Sequence, residues 1–433
     1  MRITFIRPNL ADMRSTDAMP PLAFAVLAGA TPPDCELTLQ DERLAPISLD
    51  SPTDLVAITV ETYTARRAYQ IASDFQARHV PVVMGGFHPT FLPQEADAHA
   101  DAVVIGDAET VWPQIVQDAR HGKLQPIYRQ RNGSPTVQYH CDRSIFAKKR
   151  YVPVHPVQFG RGCKFNCEFC SIHVFYGHPH RHRPVADIVR EIEQLDRRHI
   201  FFVDDNLFYH PQQTETFLQA LIPLHLRWTG QISIDIARHS RLMDLLAKSG
   251  CIMALIGFES LNPHNLTQMH KAWNRPQDYS RAIREFYERD IMLYGTFVLG
   301  YDEDSLDTFD RILDFALEQH FFLANFNPLT PMPGTALYAR LKREHRLIYD
   351  RWWLHPDFRY GNAVFHPRGM TAEQLAAGCY RLRQEFNRYS SMFRRAYAAP
   401  HRNLDRMGLF LAANLISRRE IHKKQGLPLG GTA

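Results

Sequence analysis

The segment Gly162-Cys163-Lys164-Phe165-Asn166-Cys167-Glu168-Phe169-Cys170 carries three thiols at the spacing Cys-x3-Cys-x2-Cys. Three thiolates on one short loop can ligate three irons of a [4Fe–4S] cluster and leave the fourth open, whereas electron-transfer ferredoxins normally use four cysteines. A structural zinc site wants a fourth protein ligand. Phe165 and Phe169 lie between the thiols, where they can shield a cluster from water. Taken alone, the spacing leaves a zinc loop or three unrelated thiols open.

Other polar residues gather where short apolar runs end. Ile200–Val203 reads as a buried strand ending at Asp204-Asp205-Asn206, Ile252–Gly257 as one ending at Phe258-Glu259-Ser260, and Met292–Leu299 as one ending at Gly300. Val157–Gly160 leads into the cysteine loop, Gln231–Ile236 carries Ser233 just before Arg238, and Phe322–Asn327 is a further strand. Helices read at 185–198, 241–249, 281–289 and 305–319. About six βα repeats predict a partial TIM-like (β/α)6 barrel, whose functional residues cluster at the C-terminal strand ends. Taken singly, Asp204, Asp205 and Glu259 are equally well read as helix caps.

Residues 1–125 carry a second series, with strands at Ile3–Ile6, Leu55–Val60, Val80–Met84 and Ala102–Ile105 and helices at 22–30, 65–78 and 109–120. Short apolar strands alternating with helices predict a doubly wound, Rossmann-like parallel sheet. Gly85, Gly86 and Gly106 follow its strands, at the ends where such sheets bind ligands. Residues 126–149 read as a linker, 150–340 as the barrel, 341–425 as a mainly helical extension and 426–433 as a flexible tail. The extension holds basic helical runs at 372–397, with Arg381, Arg383, Arg388, Arg394 and Arg395, and at 404–424. A solvated face is the ordinary reading of such runs, although they also suit anionic lipid or nucleic acid. His173, His178, His180 and His182 lack metal-site spacing and read as a solvated loop.

The chain has 433 residues, 45% hydrophobic, with a net charge of +4. That predicts several packed domains and no general taste for polyanions, hence no nucleic-acid partner. No run of about 18 apolar residues occurs, so no transmembrane helix is expected. Seven cysteines, three of them clustered, predict a reducing cytoplasm over a disulfide framework.

The cysteine motif is the signature of the radical S-adenosylmethionine (SAM) enzymes, and the barrel segments resemble that family in order. The resemblance implies that Cys163, Cys167 and Cys170 ligate a [4Fe–4S] cluster, that SAM chelates the open iron, and that one-electron reduction releases a 5′-deoxyadenosyl radical. Phe202–Asn206 resembles the motif whose residues approach the SAM amino group. Gly257–Ser260 resembles the motif whose acid contacts the ribose. Gly295–Gly300 resembles the adenine-contact strand, with Phe297 replacing the usual isoleucine. Ser233 and Arg238 are candidates for the SAM carboxylate, Arg238 by a bidentate contact.

The first domain resembles the cobalamin-binding domain of the B12-dependent subfamily, through Pro20-Pro21-Leu22, Val82–Thr90 and Asp101–Glu109. It departs in having Ala23 after Pro-Pro-Leu and Gly106-Asp107-Ala108-Glu109 where Gly-Glu-Gly-Glu is usual. It lacks the Asp-x-His-x-x-Gly motif that supplies a histidine to cobalt, so cobalamin is expected without a lower histidine; His88 is placed to face a ligand or to cap a turn. The extension resembles that of a group including tetrapyrrole- and hopanoid-modifying enzymes. The resemblance implies methyl transfer to an unactivated centre of a small molecule, with a one-electron reductant such as flavodoxin or ferredoxin. A cobalamin-free radical enzyme and a non-catalytic iron–sulfur carrier are the competing readings.

Overall fold

A computed structural model describes residues 1–11, 13–130, 137–177, 180–196, 198–397 and 404–430. The first domain is a six-stranded, wholly parallel sheet of β1 (Arg2–Arg7), β2 (Glu36–Asp41), β3 (Leu55–Thr59), β4 (Val82–Gly85), β5 (Ala102–Ile105) and β6 (Ile127–Arg129), in the order β2-β1-β3-β4-β5-β6. Leu55–Ile58 is apolar throughout because it is covered on both faces. The helix Ala65–Gln76 packs on one face, and Leu22–Gly29 and Trp112–Arg120 on the other.

Two of these strands escape the sequence pattern. β2 lies at the sheet edge and alternates polar with apolar residues, so it offers no apolar run. β6 has three residues and falls inside the segment read as a linker.

The second sheet is an open barrel of β7 (His155–Val157), β8 (His199–Phe202), β9 (Arg227–Gln231), β10 (Cys251–Glu259), β11 (Met292–Leu299) and β12 (Leu323–Pro328), again parallel and in sequential order. The expected strand at 231–236 is misplaced. The strand ends at Gln231, and Ile234–Arg238 is a 3-10 turn. Ile232, Ile234 and Ile236 are all buried, so their spacing of two imitates a strand, whereas Thr229-Gly230-Gln231 has no apolar signature.

The C-terminal run is broken into the helices Ala372–Phe386 and Tyr389–Ala396, followed by Leu404–Lys424. The break sits where the Asn387 amide turns back to donate to Arg383 O at 2.9 Å. Its arginines are not simply solvated, since Arg383 and Arg395 are buried. The expected flexible tail is packed in its described part, residues 426–430, while 431–433 lie outside the described residues. Leu429 is fully buried, Pro428 pairs with Arg359, and Gly430 N–H donates to Leu10 O at 2.7 Å. Trp352 and Trp353 pack against the first domain.

Candidate functional site

The loop after β7 carries the three cysteines, and the ends of the neighbouring strands hold it. Asp204 accepts from Phe159 N–H at 3.0 Å and from Gly160 N–H. Asp205 accepts from Gly162 N–H at 2.9 Å. Both carboxylates therefore fasten the loop backbone, and Asp205 also lines a cavity between the two domains. Neither caps a helix, since the next one starts at Pro211 behind His210. Burial pushes Asp204 up to about 7 and Asp205 up to about 6, against the amides that favour their charged forms.

Asn206 links two further elements. Its amide nitrogen lies 3.8 Å from Cys163 Sγ and 3.1 Å from Ser233 Oγ, while its oxygen accepts from Phe208 N–H and Ser233 N–H. Glu168, inside the motif, is held by Arg340 at 2.8 Å. Phe165 stacks on Trp273 at 3.6 Å and covers one side of the loop. Burial raises all three thiols, Cys167 to about 12 and Cys170 to about 11.

Lys271 works against that burial. Its ammonium lies 2.7 Å from Glu259 Oε1 and close enough to all three thiols to favour their thiolates. Burial lowers the Lys271 pKa, but Glu259 and the thiols outweigh it and leave it raised. Glu259 sits at a bulge in β10 with a φ of 64°. A Cβ on Gly257 would collide with the Glu259 carboxylate and stand 2.9 Å from Lys271 Nζ, so the glycine makes room for the pair. The sequence reading missed Lys271. It follows the short helix Pro263–Gln268 in a turn, without a motif of its own.

Three predicted residues lie outside the contacts of the cysteine loop. Phe297 is fully buried between the barrel and its outer helices, among Phe258, Phe315, Phe321 and Phe326. Strand alternation turns the neighbouring Thr296 and Val298 the other way. Arg238 is half exposed and donates to Trp273 O at 3.2 Å, outside the thiol cluster. Ser260 is buried, and its hydroxyl accepts from Asn262 N–H at 3.0 Å.

A cavity with about 1340 Å³ of empty space, partly open to solvent, lies between the two domains. Thr59, Gly85, Gly86 and Gly106 at the first domain's strand ends form one wall, and Gln158, Arg161, Tyr176 and Asp205 beside the cysteine loop form the facing one. Arg161 ties the walls together through Asp107 at 2.8 Å and through Glu109. Asp107, which departs from the usual Gly-Glu-Gly-Glu, and Glu109, which keeps it, thus both pair with the residue that precedes the cluster loop. Gly86, with a φ of 108°, is required by its turn, because a Cβ there would stand 2.9 Å from Val60 O. Gly85 has no such constraint and opens on the cavity.

His88 does not face this cavity. It is fully buried, with Nε2 3.0 Å from Glu95 Oε1 and 3.1 Å from the Tyr69 hydroxyl, and Nδ1 3.3 Å from Thr62 Oγ1. Trp353 donates to the same Glu95 oxygen at 2.9 Å, joining the C-terminal segment to the first domain. Burial raises the Glu95 pKa, but these donors outweigh it and hold it low. Among the described residues of the histidine-rich loop no metal-ligating cluster forms, and His180 stacks on Tyr209 at 4.2 Å. His178 lies outside the described residues.

Residues 157–316 match the radical SAM superfamily model and residues 16–116 the B12-binding domain model. The bacteriochlorophyllide d C-12(1)-methyltransferase of Chlorobaculum tepidum is 30% identical over 88% of this chain and 85% of its own length. The chain belongs to the radical SAM enzymes that carry a B12-binding domain. The C-8(2)-methyltransferase of the same organism is 28% identical over 76% of this chain and 78% of its own. The radical SAM methyltransferase TsrM from Kitasatospora setae, solved with cobalamin and a [4Fe–4S] cluster, shares the fold with a TM-score of 0.63 at 16% identity, covering 79% of this chain and 78% of that one.

The cofactors of this radical SAM enzyme are a [4Fe–4S] cluster, SAM and cobalamin. The residues present fit them. The three thiols lie on one loop within electrostatic reach of one another and of Lys271, and a two-walled cavity opens at the strand ends with no histidine among its described lining residues. Among the described residues no helix is long and apolar enough to cross a membrane.

Proposed function

We propose that this radical SAM enzyme transfers a methyl group to an unactivated centre of a small molecule. The observation that carries the reading is the shared cavity. Its walls come from the B12-type strand ends and from residues beside the cysteine loop, so one partly open space adjoins both domains. When bound, the cluster and SAM supply a one-electron reductive cleavage, and cobalamin supplies methyl transfer.

In this reading Cys163, Cys167 and Cys170 hold the cluster, while Asp204 and Asp205 fix their loop through its amides. Asn206 orients Cys163 and Ser233. Glu259, held by Lys271, presents its carboxylate at the strand end for the ribose hydroxyls of SAM. Phe165 and Trp273 keep water from the thiols, as radical chemistry requires. Gly85, Gly86 and Gly106 would let the backbone approach cobalamin, and no histidine stands among the described residues lining this cavity. Electrons come from a flavodoxin or ferredoxin, and seven cysteines, with no disulfide among the described residues, suit a reducing cytosol.

Anaerobic reconstitution with iron, sulfide and cobalamin, followed by metal and product analysis with SAM and dithionite, tests the proposal. Stoichiometric cobalt with both 5′-deoxyadenosine and S-adenosylhomocysteine is expected. A loaded cluster that retains no cobalt would overturn the cobalamin-dependent reading.

A further inference from the structure

The C-terminal helices leave an apolar surface uncovered. On Tyr389–Ala396, Tyr389, Phe393 and the adjoining Tyr397 recur every fourth residue and are 66%, 66% and 58% exposed. On Leu404–Lys424, the stretch Gly408-Leu409-Phe410-Leu411-Ala412-Ala413-Asn414-Leu415-Ile416 is apolar nearly all round. Phe410 and Asn414 face inward, while Leu411 and Leu415 are 43% and 47% exposed. A helix apolar on every side is normally buried on every side, and contiguous exposed apolar patches mark interaction surfaces.

The two stripes lie side by side. Arg418 stands over the Tyr389 ring at 4.8 Å, and Phe410 packs with Met392 and Ala396. As the number rises along one helix it falls along the other, so the pair is antiparallel. It rests on Met292 and Phe322, at the starting ends of the last two barrel strands. That is the end of the barrel opposite the thiols.

The charge around this surface is mainly basic. The two helices contain seven Lys and Arg residues against Asp405 and Glu420. Of the seven, Arg395 is buried and Arg406 pairs with Asp290 at 3.3 Å. Glu420 points inward, where Lys424 lies 3.2 Å away and Thr16 donates to it. Asp405 lies 3.9 Å from Arg227. Arg394 and Arg419 are exposed. A second copy docked by a two-fold axis would set this basic set against itself, and like charges so juxtaposed disfavour the contact. An anionic bilayer meets both properties, taking the aromatic and aliphatic stripe at its interface and pairing the basic rim with lipid headgroups.

We propose that the face formed by Tyr389, Phe393, Leu411 and Leu415, rimmed by Arg394 and Arg419, docks the enzyme peripherally on an anionic lipid surface. The barrel mouth then points away from the bilayer, so docking sets the enzyme's location without blocking the cofactor sites.

The test is flotation of the full-length, cofactor-loaded protein with phosphatidylcholine vesicles, with and without phosphatidylglycerol. The wild type is expected to float with the anionic vesicles and not with the neutral ones. Phe393→Glu/Leu415→Glu should stay in the aqueous fraction. Arg394→Gln/Arg419→Gln, which leaves the apolar stripe intact, should bind about fivefold more weakly per charge removed. Both variants should keep the wild-type circular dichroism and 5′-deoxyadenosine formation. Absence of flotation with anionic vesicles would overturn the proposal. So would a wild-type dimer in sedimentation velocity that Phe393→Glu/Leu415→Glu turns into monomers, since a second copy would then cover this face.

Discussion

Lys271 Nζ lies 2.7 Å from Glu259 Oε1, beside the three thiols of the cysteine loop. Both side chains are largely buried, so each charge depends on the other for compensation. One contact thereby holds the acid expected at SAM and places a cation near the cluster ligands.

Lys271→Met leaves the Glu259 carboxylate buried and unpaired, and breaking such a pair costs about 3 kcal/mol or more. Anaerobic urea unfolding should show this loss. Lys271→Met/Glu259→Gln should recover part of the stability but none of the SAM affinity measured by equilibrium binding. Full recovery of SAM binding in the double variant would remove Glu259 from the SAM site.

Alanine at Cys163, Cys167 or Cys170 should abolish iron retention while sparing cobalt. The thiols lie on the loop, whereas Gly85 and the other strand-end residues form the opposite wall of the cavity. Metal analysis of the three variants decides this, and joint loss of iron and cobalt would show that the two sites assemble as one.

Gly85→Leu should lower cobalamin retention with little effect on folding, because its side chain enters the cavity. Gly86→Ala should instead destabilise the protein by about 1 kcal/mol or more, because its positive φ and the nearby Val60 carbonyl oppose a Cβ. Cobalt content and thermal unfolding of the pair separate the two effects.

Asp304 accepts from Gly300 N–H, Tyr301 N–H and the Asn265 amide, yet burial pushes it up to about 6 from an ordinary 3.8. Between these values the folded chain binds more protons than the unfolded one, so stability falls as pH rises from about 4 to about 6. Asp304→Asn should flatten that part of the urea-midpoint profile. An unchanged slope would place the titration elsewhere.

Arg395 is fully buried and donates to the carbonyls of Phe321, Phe322 and Phe386 and to Asn414 Oδ1. It fastens the last two helices to the barrel edge. Arg395→Met should cost about 3 kcal/mol or more by orphaning those acceptors. Limited proteolysis should then cut first within the C-terminal helices.

Chemistry carried by contiguous residues was readable from the chain alone. The cysteine spacing, the apolar strands and the order of the barrel motifs are local patterns, and each side chain needs only its neighbours to be recognised. Edge strands were not, because Glu36–Asp41 is half-solvated and lacks an apolar run.

Side-chain direction and distant pairing belonged to the tertiary structure. Phe297 sits in the expected motif, but strand alternation turns it into the outer core. His88 follows the expected glycines, yet its partners Tyr69 and Glu95 draw it inward. Lys271 and Arg161 matter through Glu259, Asp107 and Glu109, which only folding brings near. A linear pattern records what a residue is, whereas the charge it meets and the face it takes are set by packing between elements far apart in the chain.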